Sequence, residues 1–453
     1  MPDELDVSHT EALTNAQRDA LLARLKTAWN NLPAQTQTDL KPLLNEAHEQ
    51  LAVYAGGGKS PDPHLRPILR MKSYLTDDWD GHLQTLGQPI NQAQDQPLAA
   101  AVKPLAIEIS VGSDGAILGT GKYQELDLCW ELVSGTVWLE NLLHKHPFPK
   151  GTPAIQTIGN TVTIAMAGDF GTGNFGSGDS PSTKISKFIP NLKPDYTIHL
   201  GDVYYAGTTP EETANLLNFW PQGSLASFTL NSNHEMYSGA GPYFNLAVGG
   251  PVFNKLQSPY SFFALENDNW IIVGLDSAYY SNVLTLYMSG TLGSGNAQIK
   301  FLQDIAQRGK KVIVLTHHNG LPINGDPNGG SNNKPLQLYT DVMNAFAGQN
   351  PPAYWYYGHE HIAAVYPPIN GTLCRCLGHA ALPWGLSSDL QAAKTAGKVE
   401  WFETRSANDP DDTLRIYNGF VLLQLDGPNL TETFYDETGN VAWPAPPPPA
   451  SAG

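Results

Sequence analysis

The sequence predicts an α/β sandwich with an appended N-terminal region, on three observations. From Thr161 onward, short apolar runs of strand length alternate with helical or looped stretches. Five of these runs stop abruptly on side chains able to bind metal: Ile164-Ala165-Met166-Ala167-Gly168-Asp169, Ile198-His199-Leu200-Gly201-Asp202, Phe228-Thr229-Leu230-Asn231-Ser232-Asn233, Val314-Leu315-Thr316-His317-His318 and Tyr356-Tyr357-Gly358-His359-Glu360-His361. The first 150 residues follow another pattern, helical at the start and alternating later.

Composition bounds what such a chain does. With 453 residues, 41% hydrophobic and 15% charged, it can bury a sizeable core and reads as a soluble globular protein with long connections. The formal net charge of −17 argues against binding a nucleic-acid polymer or an anionic membrane, because a polyanion is repelled over most of the surface. One phosphate can still be drawn to a local cationic site. The start, Met1-Pro2-Asp3-Glu4-Leu5-Asp6, lacks the basic residues and apolar run of a secretory signal, and no 18-residue apolar stretch occurs, so a cytoplasmic location is expected. Only Cys129, Cys374 and Cys376 are present, too few and too uneven for a disulfide framework. Alternation along a strand puts Cys374 and Cys376 on one face, as two buried thiols.

Taken in order, Leu21, Leu22, Leu25, Ala28 and Trp29 have helical spacing, with Thr14 or Asn15 as cap and Pro33 as terminator. A second helix is expected over Leu40 to Tyr54 and a third over Leu65 to Leu86. Between them Ala55-Gly56-Gly57-Gly58-Lys59-Ser60 reads as a flexible loop, since the full glycine spacing and preceding strand of a phosphate-binding loop are missing. Ile107 to Val111 and then Leu126, Leu128, Trp130 and Leu132 alternate like antiparallel strands. His144, His146, Pro147, Pro149 and Gly151 read as a linker, which places a domain boundary near residue 150. The organisation expected is an N-terminal region over 1–150 of helices then strands, an α/β domain over 151–440, and a Pro-rich tail over 441–453.

In α/β folds ligands gather beyond the carboxyl ends of strands, which is where Asp169, Asp202, Asn233, His317, His359 and His361 stand. Singly, each is as easily a turn or cap residue; five such endings together point to a binuclear metal site. Two cations ~3.5–4 Å apart need a bridging ligand, and a carboxylate such as Asp202 has the two oxygens and the charge for it. Imidazoles at His317, His359 and His361 suit Zn, Mn or Fe, and the single carbonyl of Asn233 leaves its metal electrophilic. Glycines at 168, 171, 201 and 358 let backbone pack closely beside them.

The ordered set Asp169-Phe170-Gly171, Gly201-Asp202-Val203-Tyr204-Tyr205, Asn233-His234-Glu235, Val314-Leu315-Thr316-His317 and Gly358-His359-Glu360-His361 resembles the calcineurin-like metallophosphoesterases. Within them it is most similar to the purple acid phosphatases, whose distinguishing tyrosine follows the bridging aspartate by three, as Tyr205 follows Asp202. The likeness spans roughly Thr161 to Tyr435. It implies a four-layer αββα sandwich, and hydrolysis of a small phosphorylated substrate by a metal-dependent phosphomonoesterase of acid phosphatase type, with metal-bound hydroxide as nucleophile. A first metal, Fe(III), would be held by Asp169, Asp202, Tyr205 and His361; a second, Fe(II), Zn or Mn, by Asp202, Asn233, His317 and His359. A di-Zn or di-Mn pair is the other assignment. His234 would contact phosphate and protonate the leaving alkoxide, with Glu235 and His318 standing behind the ligands. The chain departs from the pattern at Ser232, where glycine is usual, and no fibronectin-like N-terminal domain is evident. A phosphodiesterase acting on cyclic nucleotides or other diesters is the nearest rival, and a non-catalytic scaffold of the same fold the more remote one.

Overall fold

The computed structural model describes residues 14–42, 110–125, 127–329 and 333–444. The expected helix over 65–86, the glycine-rich loop at 55–60, most of the expected helix at 40–54 and residues 445–453 of the Pro-rich tail lie outside them, while Val441–Trp443, expected to belong to a disordered tail, form a strand. Helix α1 (Asn15–Asn31) is capped by Thr14, the first of the two residues offered as cap, in a capping box: its hydroxyl accepts from Gln17 N–H while the Gln17 side chain accepts from Thr14 N–H. A further helical stretch runs over 34–42, ahead of the expected start at Leu40.

The next element corrects the sequence reading. The alternation of Leu126, Leu128, Trp130 and Leu132 predicts a strand, but Leu128–Glu140 is a helix, α2, capped by the Asp127 carboxylate on Cys129 N–H. Cys129, Leu132, Val133, Val137, Trp138 and Leu139 are buried, and so are Glu131, Ser134 and Thr136. A helix buried all round has no polar stripe to reveal its period.

The strands follow as β1 (Gln156–Thr157), β2 (Thr161–Ala167), β3 (Tyr196–His199), β4 (Ala226–Thr229), β5 (Phe263–Glu266), β6 (Trp270–Gly274), β7 (Lys311–Thr316), β8 (Tyr354–Tyr357), β9 (Ala363–Val365), β10 (Leu373–Leu377), β11 (Trp401–Phe402), β12 (Gly419–Asp426), β13 (Asn429–Asp436) and β14 (Val441–Trp443). They form an eight-stranded sheet, β1-β5-β6-β7-β8-β10-β9-β11, and a six-stranded one, β14-β13-β12-β2-β3-β4. Within the sheets β2-β3-β4 and β6-β7-β8 run parallel, so their carboxyl ends emerge together.

Alternation along the strands generates the layers. Ile164 and Met166 of β2 join Ile313 and Leu315 of β7 in one apolar cluster between the sheets. Ala165 and Ala167 face the other way, into a cluster with α1, α2 and Ile185 of the helix Pro181–Phe188. Val312 and Val314 turn outward onto Phe301, Leu302 and Ile305 of Ala297–Ala306, and onto Leu338 and Val342 of Gln337–Ala345. Helices therefore cover both outer faces, giving the mixed α/β sandwich that the sequence predicts, with helices at its N-terminal side. Each such aliphatic side chain withdrawn from water contributes about 1.5–3 kcal/mol, which holds the two sheets and their shared ligand-bearing edge in register. Cys374 and Cys376 are buried free thiols in this packing. Among the described residues no helix is long and apolar enough to cross a membrane.

Candidate metal centre

The carboxyl ends of β2, β3 and β4 in one sheet and of β7 and β8 in the other bring Asp169, Asp202, Asn233, His317, His359 and His361 to one place. All six are buried, from 0% exposed at Asp169 and His317 to 5% at His359 and His361. Asp169, Asp202 and His359 have φ of 59°, 77° and 70°, the left-handed region that side chains with a Cβ rarely adopt. Backbone room comes from glycine at two contacts. A Cβ on Gly201, itself at φ 99°, would lie 2.7 Å from His317 Nδ1, and one on Gly358 would lie 2.4 Å from Asp169 Oδ2.

The donor atoms face one another. His317 Nδ1 lies 2.9 Å from the Leu200 carbonyl, which can only accept, so Nδ1 carries the proton and Nε2 turns its lone pair inward. Around Nε2 stand Asn233 Oδ1 at 2.9 Å, Asp202 Oδ1 at 3.2 Å and His359 Nδ1 at 3.3 Å. Asn233 is held with its oxygen inward because its Nδ2 donates to Tyr237 Oη at 3.1 Å. A proton on Nε2 would serve one of these neighbours; a cation among them serves all. Among the described residues Asp202 Oδ1 receives no hydrogen bond despite its burial, as a carboxylate oxygen kept for a cation would be.

Asp169, Asp202 and His361 form the other group of converging ligand atoms. His361 Nε2 is 3.5 Å from Asp169 Oδ1, and Asp169 Oδ2 accepts from the His359 backbone N–H at 2.9 Å. Burial, and then the neighbouring Asp202, push the Asp169 carboxyl well above the usual range. Burial pushes Asp202 the same way, but the imidazoles of His317 and His234 more than offset it and hold that carboxyl down. Two buried carboxyls side by side do not both ionise without positive charge between them, and divalent or trivalent cations supply that charge. The residues present fit a binuclear centre.

The structure redistributes one sequence assignment. Tyr205 does not reach the centre: its hydroxyl points away and donates to Asp127 Oδ2 at 2.7 Å. Tyr204 faces the ligands instead, its hydroxyl donating to Asp202 Oδ2 at 2.8 Å and lying 3.2 Å from Asp169 Oδ1 and 3.3 Å from His361 Nε2. The reason is local, since the chain turns sharply after β3 and Tyr205 is tied along its backbone, its N–H to Glu211 and its carbonyl to Ser134 Oγ. His318 lies within reach of His317 and His359, yet both its nitrogens are engaged. Nε2 donates to the Tyr287 carbonyl at 2.8 Å, so Nδ1 accepts from the Ser277 hydroxyl at 2.9 Å. Burial, then the adjacent His317, pushes its pKa down to about 3, and a neutral ring without a spare lone pair supports the site without ligating.

His234 and Glu235 open the short helix Asn233–Tyr237, capped by Ser232. His234 Nδ1–H donates to the Tyr205 carbonyl at 2.6 Å, which aims Nε2 toward the centre, 3.9 Å from Asp202 Oδ2. Glu235 accepts from the Ser232 hydroxyl, and burial followed by Asp202 raises its pKa to about 8. Ser232, an outlier from the sequence pattern, thus caps the helix and tethers Glu235. Residues that sequence reasoning missed come mostly from α2 and the loops beside it: Asp127, Trp130 and Ser134 contact Tyr204, Tyr205 or His234, while Trp138 Nε1 holds the Val283 carbonyl of the adjoining loop. An aspartate leading 13 residues, too long for an average strand, was the available signal.

Residues 162–363, which contain every one of these ligands, match the family model described as calcineurin-like phosphoesterase. The chain carries a calcineurin-like phosphoesterase domain. Members of this family are phosphoesterases that use paired metals, and the structure brings together two candidate groups, Asp169, Asp202 and His361 in one and His317 and His359 beside His318 in the other. No curated protein matches the sequence. Solved structures similar to this chain include a purple acid phosphatase from yellow lupin (Lupinus luteus) seeds, at 15% identity over 65% of this chain and 53% of that one, TM-score 0.43. Another is GAP50, described as the anchor in the inner membrane complex of Plasmodium, at 14% identity, 62% and 87% coverage, TM-score 0.43. A third is a dimetal phosphatase from Danio rerio, at 12% identity, 61% and 96% coverage, TM-score 0.40. The chain spans about half the length of the lupin enzyme.

Proposed function

We propose that this phosphoesterase is a phosphomonoesterase of acid phosphatase type acting on a small phosphorylated substrate. The observation that carries the reading is His317 Nε2, a buried lone pair ringed at 2.9–3.3 Å by Asn233 Oδ1, Asp202 Oδ1 and His359 Nδ1. One metal is assigned to Asp169, Asp202 and His361 with Tyr204 beside it, and the other to Asp202, Asn233, His317 and His359. Bound there, the pair would supply Lewis acidity, binding phosphoryl oxygens and lowering the pKa of water from about 15.7 to ~7. We assign the first position to Fe(III) and the second to Fe(II), Zn or Mn, with Tyr204 in the place first given to Tyr205.

The chain's own residues supply the rest. Asp202, held down in pKa, stays ionised, with Oδ1 beside His317 Nε2 and Oδ2 accepting from the Tyr204 hydroxyl. His234, oriented by the Tyr205 carbonyl, presents Nε2 to the leaving oxygen as the group that delivers its proton. His318, oriented by the Ser277 hydroxyl on its Nδ1, holds the Tyr287 carbonyl through Nε2 and keeps the adjoining loop against the ligands. Burial of the entire set excludes bulk water and strengthens each interaction.

The test compares an aryl phosphate monoester with its bis-aryl diester, for wild type, Asn233→Ala and His317→Ala. Monoester hydrolysis that disappears in both variants is expected. Undiminished rates in either variant would sink the ligand assignment, and faster turnover of the diester would favour a phosphodiesterase. Purified protein without bound metal would point to a scaffold.

A further inference from the structure

Trp130 is the one aromatic of α2 set against the centre, and it differs from the other tryptophans nearby. Trp138, Trp220, Trp270, Trp355 and Trp384 each donate their indole N–H to a protein oxygen. Trp130 donates to none among the described residues, and it is only partly buried. Its ring lies 5.6 Å from Tyr204, 6.4 Å from Tyr205, 5.8 Å from His234 and 5.9 Å from His361. All four partners are tilted or edge-on, with interplanar angles of 49–64°, so no described ring is stacked flat on the indole.

The exposure gradient gives the direction of entry. Asp169 and His317 are fully buried, whereas His359 and His361 at 5% and His234 at 3% retain some solvent contact, and Trp130 borders the last two of these. His234 is also the group assigned to the leaving oxygen, so whatever is attached to that oxygen must lie beside it, within reach of the indole.

We infer that Trp130 is a specificity-determining residue, a flat platform on which the leaving group of the ester lies, and that it selects phosphate esters with an aromatic leaving group over aliphatic ones. The inference rests on the phosphomonoesterase reading for the identity of the ester. An aromatic group stacked on indole replaces water on both faces and meets a polarised ring, whereas a short aliphatic group covers little of it. Base-on-aromatic stacking is worth roughly tenfold or more in affinity.

The experiment measures binding and turnover on the full-length, metal-loaded protein. Calorimetry compares phenylphosphonate with methylphosphonate, neither of which is hydrolysed, and kinetics compare phenyl phosphate with glycerol 3-phosphate. In wild type the phenyl compound should bind about tenfold tighter or more. Trp130→Ala should bring that ratio close to one and lower the phenyl-to-glycerol ratio of kcat/KM through KM, while Trp130→Phe, which keeps a ring and the packing of α2, should retain most of the preference. A Trp130→Ala ratio equal to that of wild type would overturn the assignment, as would equal loss for both phosphonates. The two readings fail separately: a phenyl preference without hydrolysis overturns the catalytic reading alone, and hydrolysis with an unchanged ratio overturns the Trp130 assignment alone.

Discussion

Exchanging one tyrosine at a time separates the roles of Tyr204 and Tyr205, which adjoin in sequence and part company in space. Tyr205→Phe removes the hydroxyl that donates to Asp127 Oδ2 at 2.7 Å, while that oxygen keeps Tyr123 N–H at 2.9 Å and Oδ1 keeps Cys129 N–H at 2.8 Å. A hydrogen bond to a charged group is worth about 1.5–3 kcal/mol, and two surviving donors place the loss near the lower figure. The expected outcome is a fall of a few degrees in Tm with metal content and colour unchanged. Tyr204→Phe removes the hydroxyl bonded to Asp202 at 2.8 Å and close to Asp169 at 3.2 Å. Loss of a partner that orients metal ligands costs about 10–100-fold in metal affinity or activity, so the phenotype should be catalytic. Thermal melts, metal analysis and the visible spectrum are read on both variants. If iron is bound, the charge-transfer band disappears with Tyr204→Phe and persists with Tyr205→Phe. The opposite pattern would refute the placement of Tyr204 at the centre.

Two further substitutions probe the support around the site. His318→Asn should leave two metals per chain, because the imidazole is occupied by Ser277 and Tyr287, while turnover falls as the loop loosens; loss of one metal in elemental analysis would make His318 a ligand. Asp127 is raised from 3.8 to about 6, chiefly by burial, so between those values the folded chain holds more protons than the unfolded one and stability falls as pH rises through the window. The slope is roughly 1.4 kcal/mol per pH unit and about 3 kcal/mol in total, and Asp127→Asn should lack it in denaturant melts from pH 4 to 6.5; identical slopes would contradict the burial of a titrating carboxyl.

The ligand edge was legible because strand alternation and chain order are both written in sequence. Ile164 and Met166 against Ala165 and Ala167 announce a strand with two faces, and Asp169 must then follow at its carboxyl end. Which of two adjacent tyrosines turns inward was not legible, because it depends on the torsions that follow Asp202 and on the anchoring of Tyr205 by Glu211 and Ser134, partners 6 and 71 residues away. Helix α2 was misread for a related reason. Alternation at Leu126, Leu128, Trp130 and Leu132 is what a largely buried helix also shows over four positions, and only the Asp127 cap and the element's length distinguish the two. The contribution of α2 to the site followed the same route out of view, since no local pattern in residues 128–140 says what they pack against.

The stability of the fold should be tied to the centre itself. Non-glycine residues with left-handed torsions cost of order 1–3 kcal/mol each, and Asp169, Asp202 and His359 all carry one where the ligands converge. Burying Asp169 and Asp202 side by side adds the repulsion that lifts the Asp169 pKa. The inter-sheet core offsets these terms, and bound cations remove the second of them directly. Chelation should therefore lower Tm, and re-addition of metal should restore it with a dependence on free metal concentration. A site saturated a thousandfold above its Kd adds about 4 kcal/mol of apparent stability. Asp202→Asn supplies the control: with the bridging charge removed, Tm should become nearly independent of chelator while the sandwich still folds. A wild-type melt that ignores chelation, or an Asp202→Asn melt as metal-dependent as wild type, would show that these strand ends do not hold the ions.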